Sequence, residues 1–312
     1  MMAEASALAS FQPAVVFANP EAGGGRAGSS IRRIREVFDA ASYPVTFVPV
    51  ESAEKLEETA KANIQTGAKL LIAFGGDGTF QALANAAYGA DVVLGVLPAG
   101  GGNDFASSLS LPASAEHAAR ALLSATPKAV DLARVKTADG RMRLFAAGGG
   151  IGIDAEAARI ATGSLRRLPR RTRYVASVLR AFCGFQAIGV RAEFPGSELP
   201  AIEKSWLLAA VLNAATYGGG IRLAPEAKID DGWLDAVFVP DLSARQVAAL
   251  LPALLRSGKV KIAGIERYRA KAVKISTDRP CQFHGDGELL GPAPVEVEVV
   301  PQAIRILVPE GG

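Results

Sequence analysis

The chain is short of cysteine, histidine, aromatic residues and long apolar runs, and each shortage removes a class of protein. Two cysteines in 312 residues, Cys183 and Cys281, cannot build a disulfide framework, so a reducing, cytoplasmic setting is expected. Two histidines and two cysteines offer no zinc-ligand spacing and no serine–histidine–aspartate arrangement. His117 lies in a helical run with Glu116 and Arg120 and reads as a surface residue. His284 sits beside an Asp-Gly-Glu turn, and packing is its expected role. The longest apolar stretch, around Trp206 to Leu212, falls far short of the ~20 residues of a membrane span. Met1 to Phe11 carries an acidic residue and no basic segment, so no signal peptide is expected there. Charge of one sign is lacking too. Against 34 basic residues stand 31 acidic ones, a net +3 that makes no case for a nucleic-acid partner. Finally, no Gly-x4-Gly-Lys-Ser/Thr run occurs, which excludes a P-loop.

What remains is a chain that is 49% hydrophobic, with 33 glycines, long enough for two domains. Its first third alternates strands and helices. Strands are predicted at Pro13–Asn19, Val45–Val50, Lys69–Phe74 and Val92–Leu97, with helices at Ser29–Ala40 and Ala53–Gln65, and one that follows the Gly75–Thr79 segment and runs through Ala87. Strands separated by helices imply parallel pairing in a doubly wound α/β sheet. Beyond about Ala129 the pattern becomes strand and turn. Predicted strands are Val130–Val135, Leu144–Ala147, Val190–Phe194, Trp206–Asn213, Leu234–Val239, Ala272–Thr277, Val295–Val300 and Ala303–Val308. Helices are predicted at Tyr174–Phe185 and Ser243–Arg256. The expected domains are residues 1–130, α/β, and 131–312, mostly antiparallel, with the last strand returning to the first domain.

Glycine clusters follow three of the four early strands: Asn19 to Gly25, Gly75 to Thr79, and Pro98 to Asp104. Ligands of open α/β sheets bind beyond the carboxyl ends of the strands. Glycine there lets backbone N–H groups approach an anion, and a following helix N-terminus adds partial positive charge. One such loop is an ordinary turn; three at one sheet edge point to a polyphosphate. Gly23 to Gly28 also satisfies the dinucleotide fingerprint, but a dehydrogenase would leave the other two loops unused. Asp77 and Asp104 lie inside these loops, where a bare carboxylate would repel phosphate unless a divalent cation bridged the charges. The plainer reading of each is a helix cap. Asp77, between two glycines, is the better catalytic candidate.

Six segments, in order and over nearly the whole chain, carry a family resemblance. They are Asn19 to Gly25, Gly75 to Thr79, Asn103 to Ala106, Gly150 to Asp154, Ala224 to Gly232 and Asp286 to Glu288. The chain resembles the diacylglycerol-kinase catalytic-domain family of lipid kinases in its bacterial soluble form. The Gly-Gly-Asp-Gly-Thr motif alone is shared with NAD kinases and phosphofructokinase-like enzymes. The resemblance implies a nucleotide-binding N-terminal domain, a C-terminal β-sandwich, catalysis between them, and ATP and Mg2+ as cofactors. By the same resemblance Gly75, Gly76, Gly78, Thr79, Gly100, Gly101, Gly102, Asn103 and Asp104 hold nucleotide phosphates, and Asn19, Gly23, Gly24 and Gly25 line that site. Asp77 acts through a catalytic Mg2+ and Glu288 is the general base. A structural Mg2+ is implied at the Asp231 side chain, with the backbone carbonyls of Lys228 and Trp233. Gly101 departs from the family, which usually has Thr there, so a hydroxyl contact to the nucleotide is missing.

The implied reaction is phosphoryl transfer from ATP to a hydroxyl of a diacylglycerol-like lipid. The alternatives are ceramide or a sphingoid base as acceptor, an NAD kinase, and an inactive nucleotide-binding regulator. Arg159, Arg166, Arg167, Arg170, Arg171, Arg173 and Arg180 form one basic stretch without interleaved stacking aromatics. Such a run usually faces water, but an enzyme acting on a lipid has to reach the bilayer. Basic residues beside an anionic membrane contribute ~1 kcal/mol each. Expected partners are therefore the lipid substrate and the inner, anionic membrane face, bound peripherally, with no nucleic acid; a homodimer is left open.

Overall fold

A computed structural model describes residues 8, 10–153, 180–182, 185–243, 245–247, 249–250 and 262–309. The Arg159–Arg180 stretch up to Arg173, Asp154, most of the Tyr174–Phe185 helix and much of the Ser243–Arg256 helix lie outside those residues. The chain divides into two compact units, Met1–Asp131 with Pro301–Gly312, and Leu132–Val300.

In the first unit five strands run parallel in the order β15-β4-β3-β1-β2, where β1 is Ala14–Ala18, β2 Val45–Pro49, β3 Leu70–Gly75, β4 Val93–Pro98 and β15 Val295–Val308. Only the part of β15 from Pro301 onward belongs to this unit; there Arg305 and Ile306 pair with Val93 and Leu94. Strands β1, β3 and β4 are buried along their whole length, as parallel strands covered on both faces must be, which is why their sequences are unbroken apolar runs. Helices α1 (Arg26–Ala40), α2 (Ala53–Gln65), α3 (Asp77–Ala87), α4 (Asp104–Ser108) and α5 (Ala115–Leu123) supply the connections. Helix α2 begins where the Ser52 hydroxyl accepts the Lys55 amide hydrogen at 3.2 Å, an N-cap with Glu54 in the favourable first turn.

The second unit is mostly antiparallel. Its main path is β14-β13-β7-β9-β8-β12-β15, with β14 Glu288–Pro292, β13 Gln282–Gly285, β7 Gly148–Gly152, β9 Ile202–Leu212, β8 Ile188–Glu193 and β12 Ala272–Thr277. Strand β10 (Leu234–Pro240) pairs with β9 and with β11 (Glu266–Ala270), and β5 (Thr126–Lys136) pairs with β6 (Met142–Phe145). Its core is aromatic and β-branched: Trp206 against Phe238 at 5.5 Å between ring centroids, Phe145 against Phe283 at 5.8 Å, and Val190, Val273 and Ile275 around them. The two predicted strands Val295–Val300 and Ala303–Val308 are one continuous strand, β15.

Candidate active site

The glycine loops of the first unit are locked together by backbone contacts. At the end of β1 the Asn19 amide donates to the Phe74 carbonyl at 2.9 Å, and the Asn19 side-chain amide donates to Thr79 Oγ1 at 3.4 Å. The Gly75 carbonyl accepts from both the Ala99 and Gly100 amides, at 2.7 and 3.0 Å. Gly76 and Gly100 meet backbone to backbone: a Cβ on Gly100 would stand 2.2 Å from the Gly76 Cα and 2.5 Å from Asn103 Oδ1. No residue but glycine fits there, because the obstacle is main chain that cannot turn aside. Gly23, Gly24 and Gly25 all have left-handed φ, and Gly25 caps α1.

Asp77 opens α3, and its Oδ1 accepts the Phe105 amide hydrogen at 3.3 Å. The carboxylate thus serves the first turn of α4, whose own cap, Asn103, lies in the left-handed region and makes no side-chain cap bond. Phe80 and Phe105 stack beneath at 4.6 Å. Asn103 donates to the Gly100 carbonyl at 3.1 Å, while its Oδ1 is buried with no hydrogen-bond partner. An orphaned buried acceptor costs ~1–3 kcal/mol, a cost that a donor or a cation at this oxygen would relieve. Asp104 is buried and Gly101 exposed.

The second unit holds the other sequence-predicted residues. β13 and β14 form a hairpin in which Gly285 pairs with Glu288 across the two-residue turn Asp286-Gly287. Both turn residues have positive φ, 49° and 97°, the geometry that Asp-Gly turns favour between antiparallel strands. Asp286 does more than turn the chain. Its buried carboxylate accepts the amide hydrogens of Ala146 at 2.5 Å, Ala147 at 2.9 Å and Gly148 at 3.2 Å, and its own amide donates to the Gly148 carbonyl at 3.0 Å. This anchoring role was not foreseen from the sequence; an Asp before a glycine otherwise signals only a turn. Glu288 follows at the start of β14. Partial desolvation holds its carboxyl above the usual glutamate range, opposed by the charge of His284. The side chain keeps an exposed face, so water still screens the carboxylate.

Both implied metal positions can be tested against these surroundings. Among the described residues no three His, Cys, Asp or Glu side chains cluster as metal ligands. Mg2+ commonly takes one or two carboxylates and completes its shell with phosphate oxygens and water, so Asp77, on the second glycine loop and bonded to the Phe105 amide beyond the third, fits such an ion. Asp231 fits it poorly. Its Oδ1 accepts the Trp233 amide hydrogen at 3.1 Å and its Oδ2 is ion-paired with Arg269.

With this geometry in place, comparison with known proteins is informative. Residues 13–135 match the diacylglycerol kinase catalytic domain, and residues 149–308 match the YegS C-terminal NAD kinase beta sandwich-like domain. The second match alone spans more than half of the chain. The chain belongs to the diacylglycerol-kinase family of lipid kinases. It is 32% identical over 260 residues to a probable lipid kinase, YegS-like, of Stenotrophomonas maltophilia, covering 80% of this chain and 81% of that one. It is 27% identical over 252 residues to a diacylglycerol kinase of Mycobacterium tuberculosis, covering 80% of each. Among solved structures, a diacylglycerol kinase from Bacillus anthracis shares the fold, with TM-score 0.71 and 21% identity over 96% of this chain and 98% of that one. No described helix of this family member is long and apolar enough to cross a membrane.

Proposed function

We propose that this lipid-kinase family member transfers the γ-phosphoryl group of ATP, with Mg2+, to a hydroxyl of a diacylglycerol-like lipid. One observation carries the nucleotide half: the main-chain contact of Gly76 with Gly100, which sets two glycine loops and the N-terminus of α3 side by side with Asp77 bonded across them. Unhindered backbone amides and a helix N-terminus suit a phosphate chain. Bound Mg2+ would neutralise phosphate charge next to Asp77. Glu288 is assigned the base. It accepts the proton of the lipid hydroxyl as that oxygen bonds to the γ-phosphorus and the bond to the β–γ bridging oxygen breaks, releasing ADP. A carboxyl held above the ordinary range is a better proton acceptor than a typical surface glutamate.

The M. tuberculosis relative, by its name, supports diacylglycerol as acceptor. Gly101, standing where the family usually has Thr, favours keeping ceramide or a sphingoid base as the second reading. Docking of the Arg159–Arg180 stretch on an anionic bilayer is part of the proposal, since the acceptor resides there. A labelled-ATP transfer assay over diacylglycerol, monoacylglycerol, ceramide, sphingoid bases, phosphatidylglycerol and NAD tests the reading. Labelled phosphatidic acid as the main product is expected; label only in NADP, or none in any lipid, overturns it.

A further inference from the structure

At the Asp-Gly turn that follows Lys228, an arginine guanidinium is paired with the turn's carboxylate. Asp231 has both carboxylate oxygens engaged, Oδ1 by the Trp233 amide and Oδ2 by the Arg269 guanidinium. Arg269 also pairs with Asp235 across β10 and β11, and its positive charge acts on that second carboxylate as well. Its central carbon lies 5.5 Å from the centre of the Trp233 ring, and the Lys271 ammonium lies 5.4 Å from the same ring. Trp233 is partly exposed, and its face is covered by these two cations.

A divalent ion at this turn would meet several obstacles. Mg2+ requires near-octahedral oxygen ligands at about 2.0–2.1 Å and gives up its water reluctantly. It would have to displace or share its one carboxylate with an arginine that never deprotonates and whose backbone the pairing of β10 with β11 places opposite Asp235. It would also sit close to the Arg269 guanidinium, a like charge. Glu226, Asp230 and Asp235 add negative charge nearby, but Arg267 and Lys228 offset part of it. The planar fork of arginine, by contrast, matches a carboxylate and stacks on an indole in one pose.

We infer that in this chain the Arg269 guanidinium takes the place of the structural Mg2+ that the family resemblance implies at Asp231, so the turn is held without a divalent ion. This concerns the stability of the turn and is independent of which lipid is phosphorylated. The test is thermal unfolding of the full chain, without nucleotide, in EDTA and in millimolar MgCl2. The wild-type midpoint is expected to be the same in both. Arg269→Ala is expected to lower it by about 2–4 °C, the shift of a ~1 kcal/mol loss in a chain of this general size. Arg269→Lys, which keeps the charge and loses the fork, should fall between. MgCl2 should restore part of the Arg269→Ala loss, and this recovery should vanish when Asp231→Asn is added; a loss that MgCl2 leaves untouched also assigns the turn to the guanidinium. A Mg2+-induced rise in the wild type that persists in Asp231→Asn belongs to another site and supports the assignment equally. A rise that Asp231→Asn abolishes, or an Arg269→Ala midpoint equal to wild type, overturns it. If Arg269→Ala does not fold, the wild-type and Asp231→Asn arms decide alone.

Discussion

The Asp77 carboxylate accepts the amide hydrogen of Phe105 at 3.3 Å, so the residue assigned to the catalytic cation also joins the second and third glycine loops. The two roles separate by substitution. Asp77→Asn keeps an oxygen acceptor for the Phe105 amide but loses the negative charge, whereas Asp77→Ala loses both. Both variants are expected to lower lipid phosphorylation by two or more orders of magnitude, as removal of a charge-stabilising group does in phosphoryl transfer. Only Asp77→Ala should also lose about 1 kcal/mol of stability, the worth of a helix cap. Turnover and urea midpoints measured on both variants check this; near-wild-type turnover by Asp77→Asn would refute the assignment.

Gly100→Ala tests the loop contact itself. The added methyl would lie 2.2 Å from the Gly76 Cα, and neither main chain can rotate out of the way. The loops must separate, at a cost of about 1–3 kcal/mol. The effect should fall on the nucleotide: a large rise in the KM for ATP, with the KM for lipid little changed. Gly67→Ala, outside the glycine loops, is a useful control, since open space surrounds that Cβ and only its φ of 98° is strained.

The first unit was the more legible in sequence, for a physical reason. Strands buried on both faces must be apolar throughout, and Leu70–Phe74 and Val93–Leu97 advertise themselves. β7 does not. Its sequence, Gly-Gly-Gly-Ile-Gly, has almost no β-propensity, and it is a strand because neighbours fill the missing side chains: a Cβ on Gly149 would lie 2.5 Å from the Phe283 ring. β15 read as two strands because Pro301-Gln302 resembles a turn. Gln302 indeed has φ 49°, but its amide donates to the buried Asp131 carboxylate at 2.8 Å and the strand continues. Asp286 was invisible as an anchor because its partners are about 140 residues away in sequence. Local pattern reports turns and periodicity; it carries no record of long-range acceptor–donor pairs.

Asp286 should therefore matter for stability at least as much as for chemistry. Asp286→Ala leaves the Ala146, Ala147 and Gly148 amides without their carboxylate, and charge-assisted bonds of this kind are worth about 1.5–3 kcal/mol each when taken singly. The losses overlap, so a total of several kcal/mol is expected. Asp286→Asn keeps one acceptor oxygen and should lose less. Circular dichroism melts would show the order wild type, Asn, Ala; equal melting of all three would mean that the turn holds itself.

Glu288 gives a prediction with a definite sign. Desolvation raises its folded carboxyl pKa above the unfolded value, so between the two values the native state binds more protons and stability falls as pH rises. Replacing it by Gln should then leave stability at neutral pH equal or slightly higher, while turnover falls by orders of magnitude. In kcat/KM, the acidic limb should lie above the ordinary glutamate range, since the base works only when ionised. His284 pulls that value down, so His284→Asn should move the limb to higher pH without abolishing activity. A limb that stays in place in His284→Asn and disappears in no variant of Glu288 would assign the base to another group.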